Sequence, residues 1–344
     1  MNWTVAIGVD THKNTHTASA FDLVGHRLGR LEVRANSAGY LELLEWARSL
    51  GEPAFGIEGT ASYGAGLTRL LMAAGVPVYE VERPKRAERR AGKSDPLDAD
   101  RAGKRLLAGD GLAEPRGLGK RETLRALLVE RRSAQQARSS ALNQLQALLL
   151  TAPPRLRERL GDRRGEQLAL SCLRLRPRPS EPESTALVAV LRRLADRVTQ
   201  LDQELRAVDQ AVTQTVAELA PELLAEYGVG PICAAQLLVS AGDPRRLRSD
   251  ASLARLAGVS PLPASSGKTQ RHRLNRGGDR QLNYALHVIA LHRVRFHPET
   301  RAYHQRLLDR GKSKREATRC IKRALARRFY HLLITNPRLH YATT

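Results

Sequence analysis

The 344-residue sequence predicts an α/β domain followed by a mainly α-helical remainder. Short strand patterns and amphipathic helix patterns share the first hundred residues, and after Pro115 the composition changes to long helical stretches. The last part is helical and crowded with arginine and lysine. We therefore expect an α/β domain at residues 1–115, a long helical arm at 116–220 and a mostly helical C-terminal domain at 221–344.

The N-terminal domain begins with three strand patterns in succession. Val5–Val9 is a buried-strand run, Thr15–Phe21 alternates in polarity, and Arg30–Arg34 gives a third strand. The elements that follow are a helix, a strand, a helix and a fifth strand, at Tyr40–Leu50, Ala54–Ile57, Ala65–Ala74 and Val76–Val81. This order is that of the RNase H-like fold, whereas a doubly wound dinucleotide-binding fold alternates from its first strand.

The arm contains two long helical patterns separated by an Arg- and Pro-rich stretch. Leu124–Leu150 is the first helix, and Pro153–Pro182 is predicted to be an irregular tip. The second helix carries apolar residues at alternating steps of four and three, namely Leu187, Leu191, Leu194, Val198, Leu201, Leu205, Val208 and Val212. This heptad seam predicts a coiled coil, whose partner is either the first helix folded back or the same helix of a second subunit.

The charge balance points to a polyanionic partner. The formal net charge is +22 and the isoelectric point is about 10.8, so the chain repels itself unless the charge is matched. Nucleic acid is the first candidate; a membrane is disfavoured because no apolar run approaches the ~20 residues of a spanning helix. Aromatic residues make up only 4% of the chain, so phosphate contacts rather than base stacking are expected to supply most of the affinity.

Cysteine usage indicates a reducing compartment. The three cysteines, Cys172, Cys233 and Cys320, are far apart and lack the spacing of a zinc site or a disulfide framework. The N-terminal segment is typical of a strand rather than a signal peptide. We expect a cytoplasmic, nucleoid-associated protein.

Four carboxylates are the candidate catalytic and metal-binding residues. Asp10 closes the first strand and Glu58 closes the fourth, and these strands are neighbours in an RNase H-like sheet. Asp95 and Asp98 stand three apart at a helix start and therefore share a face. Converging carboxylates need a divalent cation, and oxygen ligands suit Mg²⁺ or Mn²⁺. Taken singly, each acid is equally typical of a turn or a helix cap.

A serine-containing loop is the second candidate site. Ser265 and Ser266 precede Gly267 in the stretch 261–280, and a row of cations follows. A serine hydroxyl can attack a phosphodiester if nearby cations stabilise the developing charge, but a flexible loop whose arginines simply hold DNA has the same composition. The candidate nucleic-acid-binding residues are Lys13, Lys93, Lys268, Arg271, Arg273, Arg276 and Arg280.

A glycine turn at Gly228–Pro231 is a weaker signal. Short glycine turns between helices present backbone N–H groups to DNA phosphates in helix-hairpin-helix modules, although most such turns only connect two helices.

These motifs, in this order, resemble the DEDD transposases of bacterial insertion sequences. The family is the insertion-sequence-110 family, whose relatives include the pilin-gene invertase and which is described as bridge-RNA-guided recombinases. The resemblance covers essentially the whole chain. It is carried by GVDTHK at 8–13, GIEGT at 56–60, KSDPLDA at 93–99, LAGVSP at 256–261, Ser266-Gly267 and NRGGDRQL at 275–282.

The resemblance implies roles that composition and spacing do not show. It implies that Asp10, Glu58, Asp95 and Asp98 are the metal-binding set of a RuvC-like domain. It implies that Ser266 is the nucleophile of a covalent phosphoserine link to DNA, with Ser265 as the alternative hydroxyl. It also implies donor and target DNA, a structured guide RNA and a homo-oligomer, a dimer or a tetramer formed as a dimer of dimers, in which the serine of one subunit works beside the acids of another.

Two other functions remain open on the sequence alone. A junction-type nuclease would use the four acids with water as nucleophile and leave Ser266 idle. A non-enzymatic, basic nucleic-acid-binding protein would use neither set, and its affinity would come from charge alone.

Overall fold

The computed structural model describes residues 3–81, 95–109, 112–113, 115, 119–176, 182–264 and 272–339. The described residues form two compact units. One unit comprises residues up to 119 together with 241–249 and 337–339, and the other comprises 120–240 and 250–336. The division into three domains at 115 and 220 stays a prediction.

A six-stranded sheet with the order β3-β2-β1-β4-β5-β6 forms the centre of the first unit. β1 runs antiparallel to β2 and parallel to β4. The predicted adjacency of the first and fourth strands is therefore confirmed. The strands are β1 at Val5–Thr11, β2 at Thr15–Phe21, β3 at Arg27–Arg34, β4 at Pro53–Glu58, β5 at Val78–Val81 and β6 at Leu112–Ala113.

Four of the five predicted strands, β1, β3, β4 and β5, differ from their predicted bounds at one or both ends, and a sixth strand was not predicted. The third strand begins at Arg27 rather than Arg30, because its first residue pairs with Phe21 at the end of β2. The short β6 was not predicted, since two residues carry no periodicity; it pairs antiparallel with β5.

Helices cover both faces of this sheet. The predicted helices are found as α1 at Ser37–Ser49 and α2 at Ala65–Ala73. Both pack on the face that presents Val5, Ile7 and Val9, and this forms the main core of the unit. The third helix, α3 at Asp95–Ala108, packs against the other face of β1.

The arm is a pair of long helices, α4 at Lys120–Leu150 and α7 at Pro182–Leu219. Arg131 Nε lies 2.6 Å from Asp209 Oδ1, and Arg138 Nε lies 2.5 Å from Asp202 Oδ1. From the first ion pair to the second, the position on α4 rises by seven residues while the position on α7 falls by seven. α7 therefore runs antiparallel to α4 of the same chain. The first of the two partners that the heptad seam allowed is thus found in the structure, while coiled-coil packing and pairing between subunits stay predictions.

The prediction of an irregular tip at Pro153–Pro182 is wrong. Within this stretch α5 spans Pro154–Leu160 and α6 spans Gly165–Leu173. Leu160, Leu168 and Cys172 are buried against α4 and α7 in one apolar cluster. The prolines and arginines conceal a helical spacing of apolar residues whose burial stabilises both helices.

The C-terminal part is mostly helical, as predicted. Its central ion pairs join Glu226 to Arg293 at 3.0 Å and to Arg328 at 2.6 Å. The hydrogen bond from Arg328 holds the pKa of Glu226 below its usual value despite the opposing effect of burial. The elements are α8 at Pro221–Ala225, α9 at Pro231–Ala241, α10 at Asp250–Leu256, the hairpin of β7 at Leu262–Pro263 with β8 at His272–Arg273, α11 at Arg280–Phe296, α12 at Pro298–Asp309 and α13 at Lys314–Thr335. No helix in the described parts of the chain combines the length and apolarity needed to cross a bilayer.

Candidate active site

Asp10 and Glu58 lie at the carboxyl ends of two neighbouring parallel strands. The register pairs Val9 of β1 with Ile57 of β4, so the two acids occupy the next aligned positions. Aligned residues of parallel strands project from the same face, and the strands are about 4.8 Å apart. Thr11 Oγ1 donates a 2.8 Å hydrogen bond to the backbone oxygen of Glu58 and fixes the two strand ends together.

Both acids project from the face that α3 covers. Asp10 and Glu58 each stand two residues after a glycine, Gly8 and Gly56, and residues two apart on a strand share a face. An added Cβ at Gly56 would meet Ala102 O on α3 at 3.1 Å. Only 9% of Asp10 and 8% of Glu58 is exposed, so each carboxylate needs an ionic, hydrogen-bonding or metal partner to offset its burial.

Backbone contact between α3 and β1 is unusually close at Gly8. A Cβ added there would lie 2.0 Å from Gly103 N and 2.2 Å from Ala99 O. No residue other than glycine fits without displacing the helix. Sequence reasoning missed this pair of glycines, although Gly8 stands inside the first acidic motif and Gly103 is the lone glycine of a helical stretch.

The direction of α3 brings its first turn to the acidic edge. Leu106, near the helix end, packs with Ala6 and Ala54 near the beginnings of β1 and β4. Ala99, close to the helix start, lies against Gly8 in the middle of β1. α3 therefore runs antiparallel to β1, and the turn that begins at Asp95 lies toward the strand ends that carry Asp10 and Glu58.

Asp98 lies in this first turn and is engaged by a cation. Arg101 Nη1 donates to Asp98 Oδ1 at 2.7 Å, and both side chains are largely buried. Asp95 begins the helix, but its side chain lies outside the described residues. The structure thus brings Asp10, Glu58 and the helix turn of Asp98 to one edge and leaves the fourth carboxylate undescribed.

Asp100 docks α3 on the sheet and was missed by sequence reasoning. Arg30 Nη2 and Arg27 Nη1 of β3 lie 2.5 and 3.2 Å from Asp100 Oδ2. Burial raises the pKa of Asp100, but the hydrogen bond from Arg30 together with the charges of Arg30 and Arg27 outweighs it, so the pKa is lowered. No local pattern marks this acid, because its partners are seventy residues away.

The donor set at the acidic edge consists of carboxylate oxygens, with His12 Nδ1 3.9 Å from Asp10 Oδ2. Oxygen donors suit a hard divalent cation such as Mg²⁺. Among the side chains that the structure describes, however, no three His, Cys, Asp or Glu residues form a ready-made metal cluster. The chemistry of Asp10 and Glu58 fits a divalent ion, and the metal-binding roles predicted for Asp95 and Asp98 stay predictions.

Part of the serine loop lies beyond what the structure describes. Ser265, Ser266, Lys268 and Arg271 lie outside the described residues, and so does Lys93. The remaining predicted nucleic-acid-binding residues are described and exposed, namely Lys13, Arg273, Arg276 and Arg280.

The two C-terminal motifs that flank this loop interlock. Gly258 and Gly278 both have positive φ, and a Cβ on Gly278 would lie 2.4 Å from Leu256 O. Asp279 caps α11 by accepting from Gln281 N and Leu282 N. The conformations required by these glycines give the LAGVSP and NRGGDRQL stretches a structural role in fixing the base of the β7–β8 hairpin.

The Gly228–Pro231 turn connects α8 and α9 and is held from within the protein. Arg293 Nε donates to Tyr227 O at 2.8 Å, and Gly228 has φ +76°. A Cβ at Gly228 would meet His292 Nδ1 at 3.0 Å. The turn is thus a packed connection, and its helix-hairpin-helix function stays a prediction.

Comparison with known proteins gives two family matches in the order of the motifs. Residues 7–154 match a DEDD family model of the IS110 type, described as "Transposase". Residues 221–305 match a second model, described as "Transposase IS116/IS110/IS902 family". The matched ranges include Asp10, Glu58, Asp95, Asp98 and Ser266.

Two curated relatives were also found. The "Insertion element IS110 uncharacterized 43.6 kDa protein" of Streptomyces coelicolor is 33% identical over 139 residues, which are 40% of this chain and 34% of that relative. The chain thus aligns with about a third of that relative's length. The "Insertion element IS900 uncharacterized 42 kDa protein" of Mycobacterium paratuberculosis is 28% identical over 390 aligned residues, which cover 98% of this chain and 97% of the relative.

Proposed function

We propose that this chain, which transposase models of the IS110 type match over residues 7–154 and 221–305, is a DNA recombinase that cuts and rejoins strands through a covalent phosphoserine intermediate. The observation that carries the proposal is the meeting of Asp10 and Glu58 at aligned positions of β1 and β4, beneath the first turn of α3. Buried acids at one sheet edge, in a chain of net charge +22, are suited to phosphodiester chemistry.

The acids provide the metal-binding half of the site. Asp10 and Glu58 would be its ligands from the sheet, because the hydrogen bond from Thr11 holds the ends of their strands together. Asp95 and Asp98 of α3 would complete a RuvC-like set. When bound, Mg²⁺ or Mn²⁺ would polarise the scissile phosphate and stabilise its negative charge.

Ser266 provides the nucleophile. Its Oγ forms a bond to phosphorus while one phosphodiester P–O bond breaks, and the hydroxyl proton passes to the departing oxygen of the DNA strand. The phosphoserine ester is close in energy to the phosphodiester that it replaces, so the reverse attack by another strand's hydroxyl reseals DNA without ATP. The exposed arginines Arg273, Arg276 and Arg280 follow Ser266 in the sequence and bind phosphates of the strand.

The partners in this proposal are donor DNA, target DNA and a structured guide RNA encoded by the element. The family resemblance supports them, and the net charge of +22 suits binding to more than one nucleic acid. We further propose a dimer or tetramer in which Ser266 of one subunit acts at the acids of another. In that assembly α4 and α7 act as a rigid arm, because they form their hairpin within one chain.

A trapping experiment tests this function. Full-length protein, with RNA transcribed from the DNA flanking its reading frame, is incubated with labelled donor and target DNA and quenched in denaturant. We expect a protein–DNA adduct that maps to Ser266 by peptide mass spectrometry. Ser266→Ala abolishes the adduct and strand exchange, and the neighbouring Ser265→Ala variant retains both.

The acids are tested in the same assay. Asp10→Asn and Glu58→Gln are expected to lose adduct formation by at least about a hundredfold, as does wild-type protein without divalent cation. Full-rate cleavage by Ser266→Ala would instead identify a metal-dependent nuclease that uses water. If the wild type formed no adduct and exchanged no strands, and Asp10→Asn left cation binding unchanged, the protein would be a basic nucleic-acid-binding protein only.

A further inference from the structure

A cavity of about 430 Å³ lies in the C-terminal part beside the β7–β8 hairpin. Its walls come from β8, from the segment between α10 and β7, from α12 and from one face of α13. The volume is within the usual range of ligand pockets, roughly 300–1,000 Å³. Of its lining, the proposed function uses only Arg273.

The lining of this cavity is strongly cationic. Five of its side chains carry a fixed positive charge, namely Arg273, Lys312, Arg319, Arg323 and Arg327. The α13 members stand three or four residues apart, so they share one helix face. Glu316 is the acid of the described lining, and it is already engaged as a helix cap by Ser313.

The nearby acids do not satisfy all of the guanidinium N–H groups that line the cavity. Asp250 accepts from Arg323 Nη2 at 2.9 Å and from Arg327 Nε at 3.1 Å, and these bonds hold its pKa below the usual value. Arg323 Nη1 is buried and has no hydrogen-bond partner among the described residues. Arg319 has one long contact, 3.8 Å, with Glu316. Unsatisfied, partly buried guanidinium groups favour an anionic ligand.

We infer that this cavity, beside β7 and β8, binds the phosphodiester backbone of a nucleic-acid strand. Planar guanidinium groups match phosphate oxygens, and Tyr303 offers a half-buried ring for the attached nucleoside. Two residues of the lining follow Ser266 closely in the sequence: His272 is six residues after it and Arg273 seven. The inference rests on the proposed function only in taking the ligand to be nucleic acid.

Matched arginine variants on α13 test the cavity. Arg319 lines it, whereas Arg315 on the same helix is exposed and does not line it. Arg319→Gln and Arg315→Gln remove the same charge, and both leave the bonds of Asp250 intact. We expect Arg319→Gln to weaken binding of a 30-nucleotide single strand about tenfold and to lower the salt slope by about 1, with Arg315→Gln within about twofold of wild type.

Cys320 offers a second readout that is independent of activity. Its side chain belongs to the cavity lining, whereas Cys172 is buried with its pKa raised to about 11 by burial and Cys233 lies on α9. The full chain is alkylated with N-ethylmaleimide, alone or saturated with single-stranded DNA or RNA, and labelling of each cysteine is quantified by peptide mass spectrometry. We expect at least about fivefold protection of Cys320 and an unchanged rate at Cys233.

The two nucleic acids distinguish the source of the strand. Protection by DNA assigns the cavity to the recombining strand, and protection by RNA assigns it to the guide. Unchanged labelling of Cys320 with both, or equal loss of affinity in Arg319→Gln and Arg315→Gln, overturns the inference. If the Ser266 adduct still forms in that case, the proposed function stands; a protected Cys320 without any adduct rejects the proposed chemistry and keeps the cavity as a binding site.

Discussion

Replacing Gly8 with alanine inserts one methyl group between β1 and α3. The new Cβ would lie 2.0 Å from Gly103 N, 2.2 Å from Ala99 O and 2.7 Å from Gly103 Cα. All three neighbours are backbone atoms of the helix that carries Asp95 and Asp98. No rotamer change can relieve the contact, so the helix itself has to move.

The loss of folding stability in Gly8→Ala follows from these distances. An ordinary contact is about 3.4 Å or longer, so α3 has to retreat by about 1.4 Å from the sheet, which forfeits much of the dispersion energy at that interface. Overpacking commonly costs about 1–3 kcal/mol. The contact is with backbone atoms, and Ala99, Ala102 and Leu106 of α3 are all buried. We therefore expect the loss in the free energy of unfolding to lie at the upper end of this range, about 3 kcal/mol.

Denaturant unfolding of the full chain measures this loss, with Gly29→Ala as the matched control in the same sheet. A Cβ at Gly29 would meet only the ring of Trp46, at 3.3 Å, and a change below about 1 kcal/mol is expected. At denaturant concentrations where both proteins remain folded, Gly8→Ala should also form less of the Ser266 adduct, because α3 positions two acids. Equal stability of Gly8→Ala and Gly29→Ala would refute the packing described for α3.

Two further predictions concern the arm and the dependence of stability on pH. Leu191→Ala removes a fully buried side chain of α7 and should lower the free energy of unfolding, measured by chemical denaturation, by about 2–5 kcal/mol. Leu170→Ala, at an exposed site, should lower it by less than about 1 kcal/mol. Similar losses in the two variants would contradict the burial of Leu191 in the arm. Burial lowers the pKa of His16 below its ordinary 6.5, so the unfolded chain binds a proton more readily and stability falls as pH drops below about 6.5. The melting temperature of His16→Gln should therefore fall less between about pH 7.5 and 5.5 than that of the wild type or of the exposed His331→Gln variant, and an unchanged profile would exclude His16 as the titrating group.

The strand and helix order of the first unit could be predicted because it depends on local periodicity. The alternation of Thr15–Phe21 and the apolar run of β1 each predict a strand, although the alternation did not show that β2 is buried on both faces. The same reasoning placed Asp10 and Glu58 at strand ends and, through the strand order, side by side. It failed at residues 153–182, where arginine and proline conceal short helices.

The sequence by itself determined the element order, the positive charge and the chemical identity of the acids, because each is a property of a residue or of its near neighbours. Only the tertiary structure decided that α7 folds back on α4, that Arg27 and Arg30 hold Asp100, and that arginines of α13 and β8 surround one cavity. These arrangements join residues far apart in the chain, and many arginines could serve any one carboxylate. The choice among them is made by how closely backbones approach, as at Gly8 and Gly103, and that distance has no signature in local periodicity.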